Sequence, residues 1–535
     1  MNLADQTVWG VLDSACSANP DKELLIVDGA RYTYRRVHES AARLAQSFAD
    51  WGVAPGNVIA LWLPNGFEWI TTLFAAARLG AITFGINTRL RMDETGALLL
   101  QSQARVLVVS HARGSSNYID TTHQLIPGLS DGDGSVKSSG FPHLAHVVCT
   151  GETAVPGMHR WHDLLKAPAY GSDRPARAHA RSIALLQSTS GSTAKPKCVK
   201  LFHGALTRNG FNTGERMGLT CDDKVFAPGP FFHVGGLVTG LLDVVTHRAT
   251  LVTTSHYEAG KALEVLEKEQ CTARLGIDTM YQRELEHPEF PQRDLRHLRK
   301  GAFMGAAHVF REACTRMGLS DLISIYGLSE ASPIVATTVP TDSIDVRAAT
   351  VGKPQPGVEI KIVDWGIGEP VSPGATGEIW VRGWSVMDGY FNDPAATALA
   401  LDENGWLHTG DLGRLDSNSN LIFAGRVKDV IRVGGENVSA QEVENVLLAH
   451  PAIRTAQVVA VQDRDLGEVP FAFIEPHPEA TWTQEEMTRY CLERLARFKT
   501  PREFHLVRDW PMTGVGKIQK VTLRDWAADI RRKGQ

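Results

Sequence analysis

Pairs of the form C-x-x-C are missing from this sequence, and its seven cysteines, at positions 16, 149, 198, 221, 271, 314 and 491, are odd in number and widely scattered. That pattern argues against a disulfide framework or a zinc site and fits a reducing cytoplasm. A basic excess is missing too: 55 Lys and Arg stand against 60 Asp and Glu, a net charge of −5. Without an overall positive field, nucleic acid is not indicated as a partner. The N-terminus carries Asp5 and Asp13 where an export signal needs basic residues followed by an apolar run. The apolar stretch Gly235 to Val245 is interrupted by Asp243 and is too short to span a bilayer, so it reads as core and no membrane insertion is expected. Absent, finally, is G-x-x-x-x-G-K-[ST]. The nearest approach, Gly191-Ser-Thr-Ala-Lys-Pro-Lys197, has no second glycine and sets a proline beside a lysine, which disfavours an ordinary P-loop NTPase.

What the chain does have is 535 residues of ordinary globular composition, 43% hydrophobic and 21% charged, enough for three or four compact units and a multidomain enzyme. Val37, Ala41, Leu44, Phe48 and Trp51 recur at helical spacing before Gly52, which predicts a helix over 35–51. A strand is expected at Val58 to Leu63, a second helix at Phe67 to Leu79 closed by Gly80, and strands at 82–86, 106–109 and 147–149. Strands alternating with helices imply βαβ units and parallel sheets. The Gly/Ser/Asp-rich segment 130–140 reads as an exposed loop.

The stretch Gln187-Ser-Thr-Ser-Gly-Ser-Thr-Ala-Lys-Pro-Lys197 offers five hydroxyl donors, a glycine and two lysines, a composition suited to a polyphosphate. Its apolar flanks, 183–186 and 199–202, make it a hairpin loop rather than a strand-to-helix turn. Later blocks add to it: Pro230-Phe-Phe-His-Val-Gly-Gly236, Tyr326-Gly-Leu-Ser-Glu330, Gly377-Glu-Ile-Trp-Val-Arg-Gly383, Met387-Asp-Gly-Tyr390, Gly405-Trp-Leu-His-Thr-Gly-Asp411, Gly425-Arg-Val-Lys-Asp429 and Pro511-Met-Thr-Gly-Val-Gly-Lys517. In this order and over essentially the full chain, they resemble the AMP-forming adenylating superfamily of acyl-CoA synthetases, peptide-synthetase adenylation domains and luciferases.

The resemblance implies an α/β fold with a large N-terminal domain, 1–427, of stacked βαβ sheets plus a β-barrel-like subdomain, and a small mobile α+β domain, 428–535. It implies that ATP activates a carboxylic acid to an acyl-adenylate with loss of pyrophosphate, and that the acyl group then passes to CoA. Thr189, Ser190, Gly191, Ser192, Thr193 and Lys197 would hold the β- and γ-phosphates. Glu330, with Ser190, would ligate Mg2+, a hard cation that takes oxygen donors. Gly305, Ala306, Ala307, Tyr326, Gly327 and Ser329 would surround the adenine, Asp411 would accept from the ribose hydroxyls, and Arg426 would touch ribose or phosphate. Lys517 would place its ammonium between the attacking carboxylate and the α-phosphate. His233 would gate the acyl pocket, formed by Val234, Gly235, Phe303, Met304 and Ile334, or orient the carboxylate. The small domain would turn on Lys428 to exchange Lys517 for Gly434 and Gly435. Two capping boxes, Ser439 with Glu442 and Thr483 with Glu486, are expected to open its helices, the second running to about 496.

No acidic residue follows His233 to hold an amino group, which points away from amino acids and toward an apolar or aromatic carboxylate. CoA is the expected acceptor, with a carrier-protein thiol as the alternative. A luciferase-like oxidation carries little weight. A catalytically silent nucleotide-binding regulator would be expected to lack Glu330, Asp411 or Lys517, and all three are present. The resemblance also allows a homodimer. Four positions depart from its pattern: Ala194 and Cys198 replace glycines, Ser329 replaces threonine and Asp278 replaces proline. Asp278 lies near the expected acyl pocket: facing inward it would select a polar substrate, and the outward orientation of a strand-end Asp is the favoured of the two.

Overall fold

The computed structural model describes residues 6–111, 117–171, 178–189, 196–478, 480–513 and 517–534, with residues 533 and 534 in backbone only. Thr33 accepts from Arg36 N–H at 3.1 Å and starts the helix Tyr34–Asp50, whose inner face buries Val37, Ala41, Leu44, Ala45 and Phe48. Strand Val58–Trp62 is buried along its whole length, as expected of a parallel strand covered on both faces. The apolar helix Phe67–Leu79 stops at Gly80, which takes up the left-handed conformation that ends helices.

Among the described residues the large domain carries two mainly parallel sheets. One has eight strands in the order Gly389–Tyr390, Lys197–Phe202, Ile183–Thr189, Ile82–Gly85, Val58–Trp62, Ala104–Val109, His146–Cys149 and His159–Arg160. The other has nine, ordered Lys353–Pro354, Ile334–Thr337, Asp321–Gly327, Lys300–Met304, Ala273–Ile277, Lys224–Phe226, Thr250–Thr253, Glu23–Val27 and Ala30–Thr33. Helices Val8–Ala18, Tyr34–Asp50, Phe67–Leu79, His203–Met217 and Asp243–His247 pack on one another, and a single apolar cluster joins them to residues of both sheets, such as Leu61 and Leu251. Separate clusters lie under outer helices, among them Leu98 and Tyr118 for the first sheet and Leu285 and Phe310 for the second. The expected barrel-like part is a four-stranded antiparallel sheet, Val358–Val363, Gly377–Gly383, Leu407–Leu415 and Leu421–Arg426.

From Val430 onward a five-stranded sheet and three helices close around a core of their own that includes Ile431, Val443, Val458, Phe471 and Leu523. Inside it the buried Glu444 accepts from Val458 N–H at 2.7 Å and pairs with Lys520 at 2.6 Å. Burying a carboxylate is costly unless it is paired and hydrogen-bonded in this way. The capping boxes form only in part. Ser439 and Thr483 accept from the N–H of Glu442 and Glu486. The Glu442 carboxylate, however, binds Lys499 at 2.7 and 2.9 Å instead of turning back. The helix begun at Gln484 ends at Leu492 rather than 496.

Candidate active site

Strands Ile183–Thr189 and Lys197–Phe202 form the expected hairpin, with Thr189 opposite Lys197. Its tip, with Ser190, Gly191, Ser192, Thr193 and Ala194, lies outside the described residues. Cys198 faces the core in the second strand, and burial pushes its thiol up to about 12, leaving it unreactive. The short strand Gly389–Tyr390 pairs with Lys200 and Val199. This brings the Tyr390 ring under Lys197, whose Nζ lies 4.8 Å from the ring centroid, within cation–π range. The Tyr390 hydroxyl donates to Glu330 Oε1 at 3.0 Å. Glu330 itself sits in the turn Ser329–Ala331 that follows Gly327, and its carbonyl accepts from Met387 N–H. Burial pushes the Glu330 carboxyl up, against the Tyr390 hydrogen bond.

Two side chains that sequence reasoning passed over set the segment 229–236. Asn65 accepts from Phe231 N–H at 2.8 Å and donates to Gly229 O at 2.9 Å and Thr253 Oγ1 at 3.2 Å. Gln187 accepts from Val234 N–H at 2.7 Å. Gly236 packs against the backbone of Gly229 and Pro230 so closely that a side chain there would collide with both. The chain is thereby held so that His233 Nδ1 accepts from Gly235 N–H at 3.1 Å. Its proton is therefore on Nε2. Burial first, and then the neighbouring Lys517 charge, lower the His233 pKa to about 4. The ring is neutral at physiological pH and a poor general base, which favours a gating or orienting role.

At the C-terminal end of strand Lys300–Met304, Gly305 and Ala307 are exposed and Ala306 half-buried. Asp278 meets them. Its Oδ1 accepts from Thr279 N–H at 2.7 Å and its Oδ2 from Ala306 N–H at 3.2 Å. The outward orientation expected for Asp278 is therefore wrong: as the first residue of helix Asp278–Leu285 it turns toward the start of helix Ala307–Arg316, where two sets of unsatisfied N–H groups converge. Phe303 also departs from expectation. It is 1% exposed and packs on Tyr281 and Phe310, ring centroids 5.2 and 5.5 Å away, in the cluster under the outer helices of the second sheet. Val234 and Ile334 are buried in the central core, while Met304 and Gly235 keep partial exposure.

Tyr326, one residue before the end of its strand, donates its hydroxyl to Asp411 Oδ2 at 3.0 Å, and Arg426 Nε lies 3.1 Å from Asp411 Oδ1. Burial raises the Asp411 pKa against the lowering influence of Arg426, Tyr326, Lys517 and Lys428. Loss of hydration around the Lys517 ammonium lowers its pKa first and the Arg426 charge second, with Asp278 and Asp411 opposing both. Lys517 thus shares one electrostatic site with His233, Asp278, Asp411 and Arg426.

Lys428 lies in the exposed turn Val427–Asp429, where Arg524 donates to Lys428 O at 3.2 Å and pairs with Asp429 at 2.5 Å. Arg454 crosses to Glu286 of the large domain at 2.5 Å. Gly434 and Gly435 form the exposed tip of the hairpin Val430–Val433 and Glu436–Ser439, and Gly434 N–H donates to Leu466 O.

The profile of the AMP-binding enzyme family matches residues 12–391, and that of the AMP-binding enzyme C-terminal domain matches 442–517. A putative acyl-CoA synthetase of Bacillus subtilis (strain 168), YngI, is 35% identical over 98% of this chain and 97% of its own. The mitochondrial medium-chain acyl-CoA ligase ACSF2 of Danio rerio is 33% identical over 98% of this chain and 88% of its own. Among solved structures, the anthranilate CoA ligase AuaEII in complex with anthranoyl-AMP superposes with a TM-score of 0.87 at 27% identity, covering 98% of this chain and 99% of that one. The o-succinylbenzoate CoA synthetase MenE of Bacillus subtilis, in complex with its acyl-adenylate intermediate, superposes with a TM-score of 0.79 at 27% identity, over 97% and 98%.

Proposed function

The chain belongs to the AMP-binding enzyme family as an AMP-forming acyl-CoA ligase, and on that premise we propose that it joins an apolar or aromatic carboxylate to CoA through an acyl-adenylate. The observation that carries the reading is the joining of Tyr326, Asp411 and Arg426 by a hydrogen bond and an ion pair, with the Lys517 charge acting on His233 and Asp411. Adenylation brings together two anions, the carboxylate and the α-phosphate. A preorganised ammonium between them stabilises the charge that develops there, and rigid positioning supplies the rest.

Tyr326 and Asp411 hold the nucleoside, with Asp411 accepting from the ribose hydroxyls and Arg426 fixing its orientation. Gly305, Ala306 and Ala307 present backbone to the adenine. Thr189 and Lys197, with the loop between them, take the leaving pyrophosphate. Glu330 fits a magnesium ligand: Tyr390 occupies Oε1, which leaves Oε2 as a hard donor among the described residues. Magnesium, when bound, neutralises phosphate charge. His233, neutral, orients the acid's carboxylate beside Met304 and Gly235. The divide between 1–427 and 428–535 acts as a hinge at Lys428, which would later bring Gly434 and Gly435 to the cleft for thioester formation. All seven cysteines are free, and a cytoplasmic setting and a homodimer are consistent with this reading.

The test is pyrophosphate release with octanoate, benzoate, anthranilate, malonate and phenylalanine, followed by thioester detection with CoA or a phosphopantetheinyl carrier protein. Octanoate, benzoate or anthranilate should support release, and CoA should accept the product. Release with phenylalanine alone overturns the substrate class, and transfer only to the carrier protein overturns the acceptor.

A further inference from the structure

One carboxylate at the cleft is used by none of the roles above. Asp278 closes strand Ala273–Ile277 and opens helix Asp278–Leu285. That helix is bolted to its strand from below: the fully buried Arg274 and Glu284 form a bidentate pair at 2.8 and 2.6 Å, and the Tyr281 hydroxyl donates to Arg274 O at 2.7 Å. The position of Asp278 is therefore rigid. Its two oxygens take amides from two different helix starts, Thr279 N–H and Ala306 N–H. Gly305, at φ +153°, lies so close that a Cβ there would overlap the Asp278 carboxyl group. The carboxylate thus fills the space that a side chain at 305 would need.

We infer that Asp278 is a positioning residue for adenylation: its carboxylate holds the Gly305–Ala307 turn through Ala306 N–H and supplies a fixed negative charge that keeps the Lys517 ammonium at the cleft. The inference rests on the reading of Lys517 given above. The charged and titratable groups around Lys517 are Arg426, which repels it, Asp278 and Asp411, which attract it, and the neutral His233. Burial raises the Asp278 carboxyl, and the amides of Thr279 and Ala306 together with the Lys517 and His308 charges oppose that and favour the charged form; His308 is acted on by Glu312 and His477 as well. Asp278 and Asp411 are the two carboxylates that offset Arg426 at Lys517; without Asp278 only Asp411 does so. Deprotonation of Lys517 then becomes easier, because removing a nearby negative charge disfavours the charged ammonium.

Asp278→Asn deletes the charge at nearly constant volume and keeps one acceptor, for Ala306 N–H, while its NH2 replaces the acceptor that Thr279 N–H uses. Pyrophosphate release from ATP with octanoate, or with benzoate if octanoate is not a substrate, is measured against pH for the parent, Asp278→Asn and Lys517→Ala. Thioester formation from the matching preformed acyl-adenylate is measured alongside. In Asp278→Asn the alkaline limb of adenylation should move down by on the order of half a pH unit, the effect of one charge across a partly hydrated gap, with thioester formation unchanged. Asp278→Ala should also weaken ATP binding severalfold by calorimetry, and Asp278→Asn should not. A superimposable pH profile in Asp278→Asn overturns the inference, as does an equal loss in both half-reactions. If Lys517→Ala adenylates normally, the reading of Lys517 fails. If Lys517→Ala is inactive and Asp278→Asn behaves as the parent, only the role of Asp278 fails.

Discussion

The hydroxyl of Tyr390 donates to Glu330 Oε1 at 3.0 Å, while Lys197 stands over the same ring. One aromatic side chain thus links the root of the phosphate hairpin to the carboxylate proposed to bind magnesium. Tyr390→Phe keeps the ring and the cation contact and removes only the hydrogen bond. A hydrogen bond to a charged group contributes about 1.5–3 kcal/mol, so adenylation should fall roughly tenfold or more and require more magnesium for half-maximal rate. Pyrophosphate release titrated with magnesium checks this. An unchanged magnesium dependence would show that the contact does not tune Glu330.

Lys517→Ala should lose on the order of 10²- to 10³-fold in adenylation, the usual cost of deleting one transition-state charge contact, while converting preformed acyl-adenylate normally. Equal loss in both steps would exclude a role confined to adenylation. Because the Lys517 pKa is lowered, the parent rate should decline on the alkaline side sooner than an ordinary lysine would allow. His233 stays neutral down to about pH 4, so no acid limb near the ordinary histidine value is expected. A limb at that value that disappears in His233→Gln would refute the assignment of a neutral ring.

Lys428→Pro should spare adenylation and impair thioester formation, because proline restricts the backbone rotation that a hinge requires. The Arg454–Glu286 pair gives a complementary lever, since it ties the small domain to the large one. Glu286→Gln should raise the ratio of thioester formation to adenylation, read from separate single-turnover measurements. A ratio that stays put in both variants would argue against domain rotation as the link between the two steps.

Asp243 is fully buried, and its Oδ2 has no hydrogen-bond partner among the described residues. Burial pushes its carboxyl up to about 8. The folded protein therefore holds a proton that the unfolded chain gives up above the ordinary aspartate value. Stability should fall as pH rises from about 4 and level off past about 8. Asp243→Asn removes the titration, so its melting temperature relative to the parent should climb between pH 5 and pH 8 by a few degrees, for a change of a few kcal/mol. A difference independent of pH would mean that Asp243 is not held protonated.

Much of this was legible from local pattern. The helix Phe67–Leu79, the phosphate hairpin and the motif blocks rest on periodicity and spacing, which a chain carries along its own length. The directions of Phe303 and Asp278 were not legible because both depend on which way a residue turns at a strand whose faces are both covered, and an apolar run on such a strand has no phase to read. Asn65 and Gln187 were missed for another reason. Their partners lie 166 and 47 residues away, and nothing in the composition of either neighbourhood announces the pairing. The reciprocal half of the Ser439 box gave way to Lys499, 57 residues beyond Glu442, a tertiary partner outbidding a local one.

The clamp made by Asn65 also bears on how the protein ages. Asn65 is followed by Gly66, the pairing most prone to spontaneous deamidation, because glycine leaves its amide nitrogen unhindered to attack the asparagine side chain. Conversion to aspartate would replace the Nδ2 donor by an acceptor facing two others, Gly229 O and Thr253 Oγ1, and would release the segment that carries His233. The same three hydrogen bonds that set this segment also hold the amide away from attack. Stored protein should therefore keep Asn65 intact for as long as it stays folded, and mass analysis of aged folded and unfolded samples should find the modification in the unfolded one first.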